Sequence, residues 1–351
     1  MSNQISQPAI PKVHLWRYLP ILILTGLAVH LVLPQLATLE HSWSVVRNFT
    51  WWAVILAAAA QILSYLGAGY ILHAILAIHR QRLSVTRGAL ISMASYSIGL
   101  VAGGWITGAA ASYRWIRQES RDGNIAAMAG TLPGLLNNFV LMVVAIISTS
   151  YLLAVHDLKK LQLIEFLIIL LLLGSMSAGV ILALRFPQPT TRLVVWAAGR
   201  WARLRQKPYD LQGVARSFER LVLVWNSLGS GKWIRPVLGA VANIGFDILT
   251  LSFMFLAAGY SISPGILLAG YGLPLILGRM AFIFPGGVGV IEGSMVALYN
   301  SLGIPNAISV VVILGYRLLS FWFPVLLGFP SAAYLGGKRR RENNHQTEVL
   351  P

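Results

Sequence analysis

Four ionisable residues stand inside otherwise apolar stretches of the 351-residue sequence: Asp247, Arg279, Glu292 and Arg317. Carrying a charged side chain into hydrocarbon costs roughly 2.5–3.5 kcal/mol on insertion scales, so such residues are candidates for ligand, ion or proton chemistry. Two acids and two arginines also cancel. They can therefore pair as Asp247–Arg317 or Glu292–Arg279 and serve the architecture alone. Glu292 follows Pro285-Gly286-Gly287-Val288-Gly289, where proline stops one helix and the glycines leave the first N–H groups of the next uncrowded. Those N–H groups and the positive end of the helix dipole favour an anion, either a lipid phosphate or the Glu292 carboxylate acting as a cap.

A second group of polar residues falls in the first half of the chain. Ser112-Tyr113-Arg114-Trp115-Ile116-Arg117 is an arginine and aromatic run. It reads either as a membrane-boundary belt with snorkelling arginines or as a lipid-phosphate contact through Arg114. Asn137, Asn138 and Pro133, and Asn243 in the second half, either line a polar path or hydrogen-bond between helices, and His73 reads as interfacial. The chain has no cysteine and seven scattered histidines, so disulfides and thiolate chemistry are excluded and no metal or cofactor is implied. The phosphate-cradling loop of nucleotide-driven pumps is absent from the sequence.

The elements that must hold these residues are membrane helices. The sequence is 56% hydrophobic and only 11% charged, against about 25% charged in soluble domains, which excludes a water-soluble globule. Apolar runs long enough to span cover 16–36, 49–78, 125–153, 162–184, 236–259 and 305–335. No small-residue cleavage site follows the first, which reads as a retained anchor.

Two further stretches, 88–111 and 264–303, are interrupted by glycine and proline. If 88–111 enters and returns on one side, Arg80, Arg82 and Arg87 stay with Arg114, Arg117 and Arg121, as the positive-inside rule asks. The stretch 264–303, broken at Pro285-Gly286-Gly287, must also return, because both the 185–235 loop and Lys338-Arg339-Arg340-Arg341 read as cytoplasmic.

The expected order is span, span, hairpin from inside, three spans, hairpin from outside, span, with both termini inside. The units 49–153 and 236–335 then carry opposite orientation, the pattern of an inverted repeat whose broken helices form a substrate site. Gly99-xxx-Gly103, Gly104-xxx-Gly108 and Gly289-xxx-Gly293 recur in the hairpins and also suit plain close packing. The connector 185–235 places Leu211, Val214, Phe218, Leu221, Val222 and Trp225 at helical spacing beside a basic run through Arg200, Arg203, Arg205 and Lys207. It reads as amphipathic helix at the cytoplasmic interface, either a simple connector or a platform for anionic lipid. On this topology the whole net charge of +16 faces the cytoplasmic leaflet, so it is an orientation signal and not a nucleic-acid surface.

Phe282-Ile283-Phe284-Pro285-Gly286-Gly287-Val288-Gly289-Val290-Ile291-Glu292 and Leu314-Gly315-Tyr316-Arg317-Leu318-Leu319-Ser320-Phe321-Trp322-Phe323-Pro324 resemble two signature blocks of the lysylphosphatidylglycerol synthase transmembrane region, the flippase-like domain. The resemblance covers about residues 12–336. It implies the membrane half of a multiple peptide resistance factor, which moves aminoacylated phosphatidylglycerol, without the fused transferase: the sequence runs only about 15 residues past its last span. It also implies lipid-headgroup roles for Glu292, Arg317, Gly286, Gly287 and Gly289, with Arg279 and Asp247 in flanking polar segments. Arg114 matches less closely, since the Arg114-xx-Arg117 spacing departs from the family's boundary pattern.

The expectation is an all-α polytopic membrane protein of about six full spans and two re-entrant hairpins in two inverted-topology units. It comprises a flippase-like domain over 1–336 and a basic tail over 337–351 in the cytoplasmic membrane of a prokaryote. Its expected partners are the bilayer and an anionic or aminoacylated phospholipid or a polyprenyl-phosphate-type lipid, with a homodimer or a lipid-modifying enzyme as further associations. The alternative is an enzyme or accessory subunit of polyprenyl-phosphate, glycolipid or aminoacyl-lipid metabolism, with Glu292 or Asp247 as acid or base.

Overall fold

A computed structural model describes residues 45–102, 105–120, 122–155, 185–205, 231–280 and 285–348, with scattered positions between 164 and 182. Ten helices account for nearly all of them: α1 (Trp51–Ile78), α2 (Val85–Ala102), α3 (Trp105–Ser120), α4 (Gly123–Val155), α5 (Pro187–Arg205), α6 (Ile234–Ala257), α7 (Pro264–Met280), α8 (Val290–Ser301), α9 (Asn306–Arg317) and α10 (Phe323–Glu348). A π-helical turn, Leu318–Trp322, joins α9 to α10. The described residues contain no strand. Among the described residues, four helices are long and apolar enough to cross a bilayer: Trp51–Ile78, Ile125–Val155, Ile234–Ala257 and the α9–α10 run Asn306–Gly336. They coincide with four of the six expected spans. The stretch 16–36 and the amphipathic 211–225 lie outside the described residues, and so does most of 162–184.

The most extensive helix contact among these residues joins α1 to α6. Lipid tails are as apolar as leucine, so membrane helices associate through close packing and hydrogen bonds. Both occur here. A Cβ on Gly67 would stand 2.6 Å from the Asn243 backbone nitrogen, and one on Gly239 would stand 3.0 Å from that of Ile71. At the crossing, Ser64 Oγ donates to the Asn243 carbonyl at 2.8 Å while Asn243 Nδ2 donates to the Ser64 carbonyl at 2.8 Å. Asn243 is therefore a helix-to-helix clasp, the interhelical reading of the two open from sequence. The helices run antiparallel: the Thr50 N–H, just before α1, donates to the Ala257 carbonyl at the end of α6 at 2.9 Å.

Both interrupted stretches are helical hairpins that return to the end they start from. In the first, α2 and α3, an Arg87–Glu119 ion pair ties the start of one arm to the end of the other. Gln81 Nε2 donates to the Ser120 carbonyl at 3.0 Å, so the arginines of 80–87 and 114–117 share one end of the molecule. In the second, α7 and α8, Tyr299 Oη donates to the Leu267 carbonyl at 3.1 Å. That closure lies at the opposite end, where α6 finishes. Within the first hairpin, Gly108 faces the Ser95 carbonyl with room for no Cβ beyond 2.9 Å, the packing use of its small residues. Gly293, by contrast, has nothing within 4 Å of a Cβ position, so Gly289-xxx-Gly293 is not a packing seam throughout.

The first arm of each hairpin packs on a long helix of the other half: α2 against α10 and α7 against α4. Ser97 Oγ, fully buried on α2, donates to the Pro324 and Val325 carbonyls of α10, each at 3.3 Å. Two large apolar clusters fill the ends of the molecule, one around hairpin α7–α8 and one around hairpin α2–α3. A small third cluster joins Val288, Phe321 and Val325 with Leu100 and Trp322. Leu100 is two residues from the end of α2, and Val288 belongs to the loop between α7 and α8, so the last turn of α2 meets the turn of the second hairpin.

Two outcomes follow. Gly67→Val should separate α1 from α6 and abolish the monodisperse detergent-solubilised protein on size-exclusion chromatography, whereas Gly293→Ala, which enters open space, should leave it unchanged. In this cysteine-free chain, Gln118→Cys and Arg82→Cys should be labelled by an impermeant maleimide from one side of the membrane and Asn48→Cys from the other. Labelling of Gln118→Cys and Arg82→Cys from opposite sides would refute the returning hairpin.

Candidate functional site

The loop between α7 and α8 is shaped by glycine. Gly286 and Gly287 adopt φ of 66° and 65°, a region where other residues are strained by their Cβ. Space excludes side chains there as well: a Cβ on Gly286 would lie 2.7 Å from Leu100 Cδ2, and one on Gly287 would lie 2.9 Å from Gly278 Cα. The chain then enters α8 through Gly289, and Glu292 falls in the first turn. Its Oε2 accepts the Gly289 N–H at 2.6 Å and its Oε1 accepts Arg317 Nε at 2.5 Å. Glu292 is 5% exposed and Arg317 4%. The guanidinium also donates to the Gly286 carbonyl at 3.5 Å and stands 4.3 Å from the centroid of the Phe321 ring, within cation–π range.

One carboxylate thus caps a helix and neutralises an arginine on the next. The N–H it takes is that of Gly289, the residue just before α8. Among the described side chains the pair formed is Glu292–Arg317, and Asp247 accepts from tyrosines and not from Arg317. The reason is reach: α8 and α9 are consecutive packed helices, and the loop glycines bring the start of α8 against the end of α9.

Directly after Arg317 the backbone widens into the π-turn Leu318–Trp322, a local defect common at functional sites. The Tyr65 hydroxyl of α1 donates to the Leu319 carbonyl of this turn. Asp247, half-buried on α6, occupies the adjoining position. Its Oδ2 accepts hydrogen bonds from Tyr271 of α7 and Tyr316 of α9, both at 2.7 Å. The Gln61 amide of α1 lies within hydrogen-bonding influence of the Asp247 carboxyl and the Tyr65 hydroxyl. Five helices and the hairpin turn therefore surround one polar cluster: Gln61, Tyr65, Asp247, Tyr271, Gly286, Glu292, Tyr316 and Arg317.

Sequence reasoning singled out Asp247, Glu292, Arg317 and the loop glycines, and these converge. Arg279 is the penultimate residue of α7, one after Gly278; its side chain is outside the described set. Arg114 is exposed on α3 at the arginine-rich end, where neighbouring Arg117 donates to the Tyr113 hydroxyl at 3.0 Å, and it does not join the cluster. His73 is half-buried, its Nδ1 2.6 Å from the Leu83 carbonyl. Asn137 is half-buried with Oδ1 unpartnered. Gln61, Tyr65, Tyr271 and Tyr316 were not singled out. Gln61 carried a signal, as the only amide side chain in α1. Among the described residues, no three His, Cys, Asp or Glu side chains gather as a metal site would require.

The fold and the apolar helices define an all-α, multi-pass membrane protein. Residues 21–328 match the family described as the lysylphosphatidylglycerol synthase TM region, and the chain belongs to that family. Membership places it among membrane proteins of lipid-related function. Shorter stretches resemble archaeal UPF0104 membrane proteins. Identity is 38% over 91 residues with one from Pyrococcus horikoshii, covering 24% of this chain and 25% of that protein. It is 29% over 90 residues with one from Methanothermobacter thermautotrophicus, covering 26% of each, and 33% over 84 residues with one from Methanocaldococcus jannaschii, covering 24% and 25%. The matched segments thus span about a quarter of each relative's length.

Removing one member of a buried pair strands the other charge, at a cost of about 3–5 kcal/mol, whereas replacing both by apolar isosteres is often neutral. Arg317→Met should therefore lower the thermal midpoint in detergent sharply. Glu292→Gln/Arg317→Met should recover most of the loss. A double variant no more stable than Arg317→Met would show that the pair is not the source.

Proposed function

We propose that the protein binds the headgroup of a phospholipid or related lipid-linked anion at the polar cluster and carries it between leaflets. The observation that carries this reading is the meeting of two hairpins, which start at opposite ends of the molecule, beside a cluster holding Asp247 and the Glu292–Arg317 pair. Each hairpin brings an interrupted segment to the centre, the arrangement by which transporters place a polar site at mid-depth. The reciprocal packing of α2 on α10 and α7 on α4 favours two inverted units, about 49–153 and 236–335. The net charge favours cytoplasmic termini in a prokaryotic cytoplasmic membrane.

In this reading Arg317 holds phosphate by exchanging part of its contact with Glu292, and Arg279 joins it from the end of α7. The released carboxylate, together with Asp247, faces the ammonium or hydroxyl groups of the headgroup. Tyr271, Tyr316 and Gln61 orient Asp247 through neutral bonds that survive the exchange. The π-turn is the segment best suited to move, because its backbone bonds are already irregular and one carbonyl is held by Tyr65. Such a groove lowers the barrier to crossing and sets no direction by itself.

The test is leaflet exchange of a fluorescent anionic phospholipid in proteoliposomes, read by dithionite quenching. Wild type should exceed protein-free vesicles, and Arg317→Lys, which keeps the charge but loses the Nε bond, should slow exchange about tenfold, equivalent to roughly 1.4 kcal/mol of barrier. Wild-type exchange no faster than in protein-free vesicles, for anionic and aminoacylated lipid alike, would overturn the reading.

A further inference from the structure

The cluster has a feature that lipid binding does not use. Both tyrosine bonds to Asp247 fall on Oδ2, and the Gln61 side chain hydrogen-bonds the same carboxyl. Gln61 is 97% buried, and its Oε1 has no hydrogen-bond partner. A buried oxygen acceptor beside the Asp247 carboxylate therefore lacks a donor. A buried acceptor left unsatisfied costs about 1–3 kcal/mol, so each such group in a native fold calls for an occupant.

Charge points the same way. The groups facing Asp247 are Gln61 and Tyr65 from α1, Tyr271 from α7, and Tyr316 and Arg317 from α9. The only cation among them, Arg317, is already bonded to Glu292. Helix α4, also packed on α6, carries no charged residue from Gly123 to Val155. Arg279 stands two turns, about 12 Å, along α7 from Tyr271. Asp247, Glu292 and Arg317 together leave one carboxylate charge without a counter-charge among the described side chains.

We propose that Asp247 and Gln61 form a binding site for one small exchangeable cation, a sodium ion or a proton, held between the Asp247 carboxylate and Gln61 Oε1. A sodium ion takes oxygen ligands of this kind and cancels the charge. A proton on the Asp247 carboxyl cancels it as well and supplies a donor for Gln61 Oε1. Occupancy is linked to the hairpin turn through a continuous path: Asp247 to Tyr316, Tyr316 to its neighbour Arg317, Arg317 to Glu292, and Glu292 to the Gly289 N–H. The inference deepens the lipid-transfer reading by supplying a coupling ion, but binding is measured without transport, so either can fail alone.

The experiment is thermal unfolding of the purified full-length chain in detergent, with sodium replacing choline at fixed ionic strength and separately across a pH series without sodium. A sodium site predicts a midpoint several degrees higher in sodium for wild type, lost in Asp247→Asn and weakened in Gln61→Ala. A proton site predicts no sodium effect but a pH-dependent shift of several degrees in wild type that is absent from Asp247→Asn. Asp247→Asn keeps the shape of the side chain and an oxygen acceptor for the tyrosines; should it not fold, Gln61→Ala against wild type gives the same comparison. Variants that track wild type in both series would overturn the proposal.

Discussion

A charge away from water must find its partner within the protein, and most of the architecture around the centre follows from how Glu292 meets that demand. Its two oxygens serve different masters: one closes the first turn of α8, the other holds Arg317 at the end of α9. For both bonds to form, the loop before α8 must turn tightly with its backbone against neighbouring helices. Gly286 and Gly287 make that possible through positive φ and the absence of a side chain. The same pair holds the guanidinium over Phe321, the residue through which the turn of the second hairpin contacts Leu100 of the first.

The rest of the molecule presents that centre through small residues and short polar clasps, because hydrophobic association offers little between helices already in lipid. Gly67, Gly239 and the Ser64–Asn243 clasp lock α1 to α6. This fixes Gln61 and Tyr65 opposite Asp247, since all five polar residues lie within a few turns on two facing helices. Ser97 performs the comparable task between α2 and α10. The π-turn stands between these rigid contacts, where Tyr65 secures its Leu319 carbonyl.

Much of this was legible in the sequence. Apolar length marked α1, α4, α6 and the α9–α10 run, and the placement of Arg80, Arg82 and Arg87 against Arg114 and Arg117 marked the return of the first hairpin. The break at Pro285-Gly286-Gly287 followed from the conformations those residues prefer. The pairing of Arg317 with Glu292 was not legible, because charge balance admits either partner and only the contact of α8 with α9 selects one. Tyr65, Tyr271 and Tyr316 escaped notice because a tyrosine in a membrane helix is unremarkable until the carboxylate or carbonyl it bonds is known. Arg114 stood out by composition yet lies with the boundary arginines, where an exposed guanidinium has water and headgroups to solvate it.

The central claim is that the last turn of α2 and the turn of the second hairpin, reached from opposite ends of the molecule, meet beside the polar cluster. Oxidative cross-linking in native membranes of Leu100→Cys with Val288→Cys, in a chain with no other cysteine, tests it most directly. An intramolecular disulfide, seen as a reducible shift in gel mobility and comparable to that of a Ser64→Cys/Asn243→Cys control at the α1–α6 crossing, is the predicted result. Efficient cross-linking of the control with none between Leu100→Cys and Val288→Cys would contradict it.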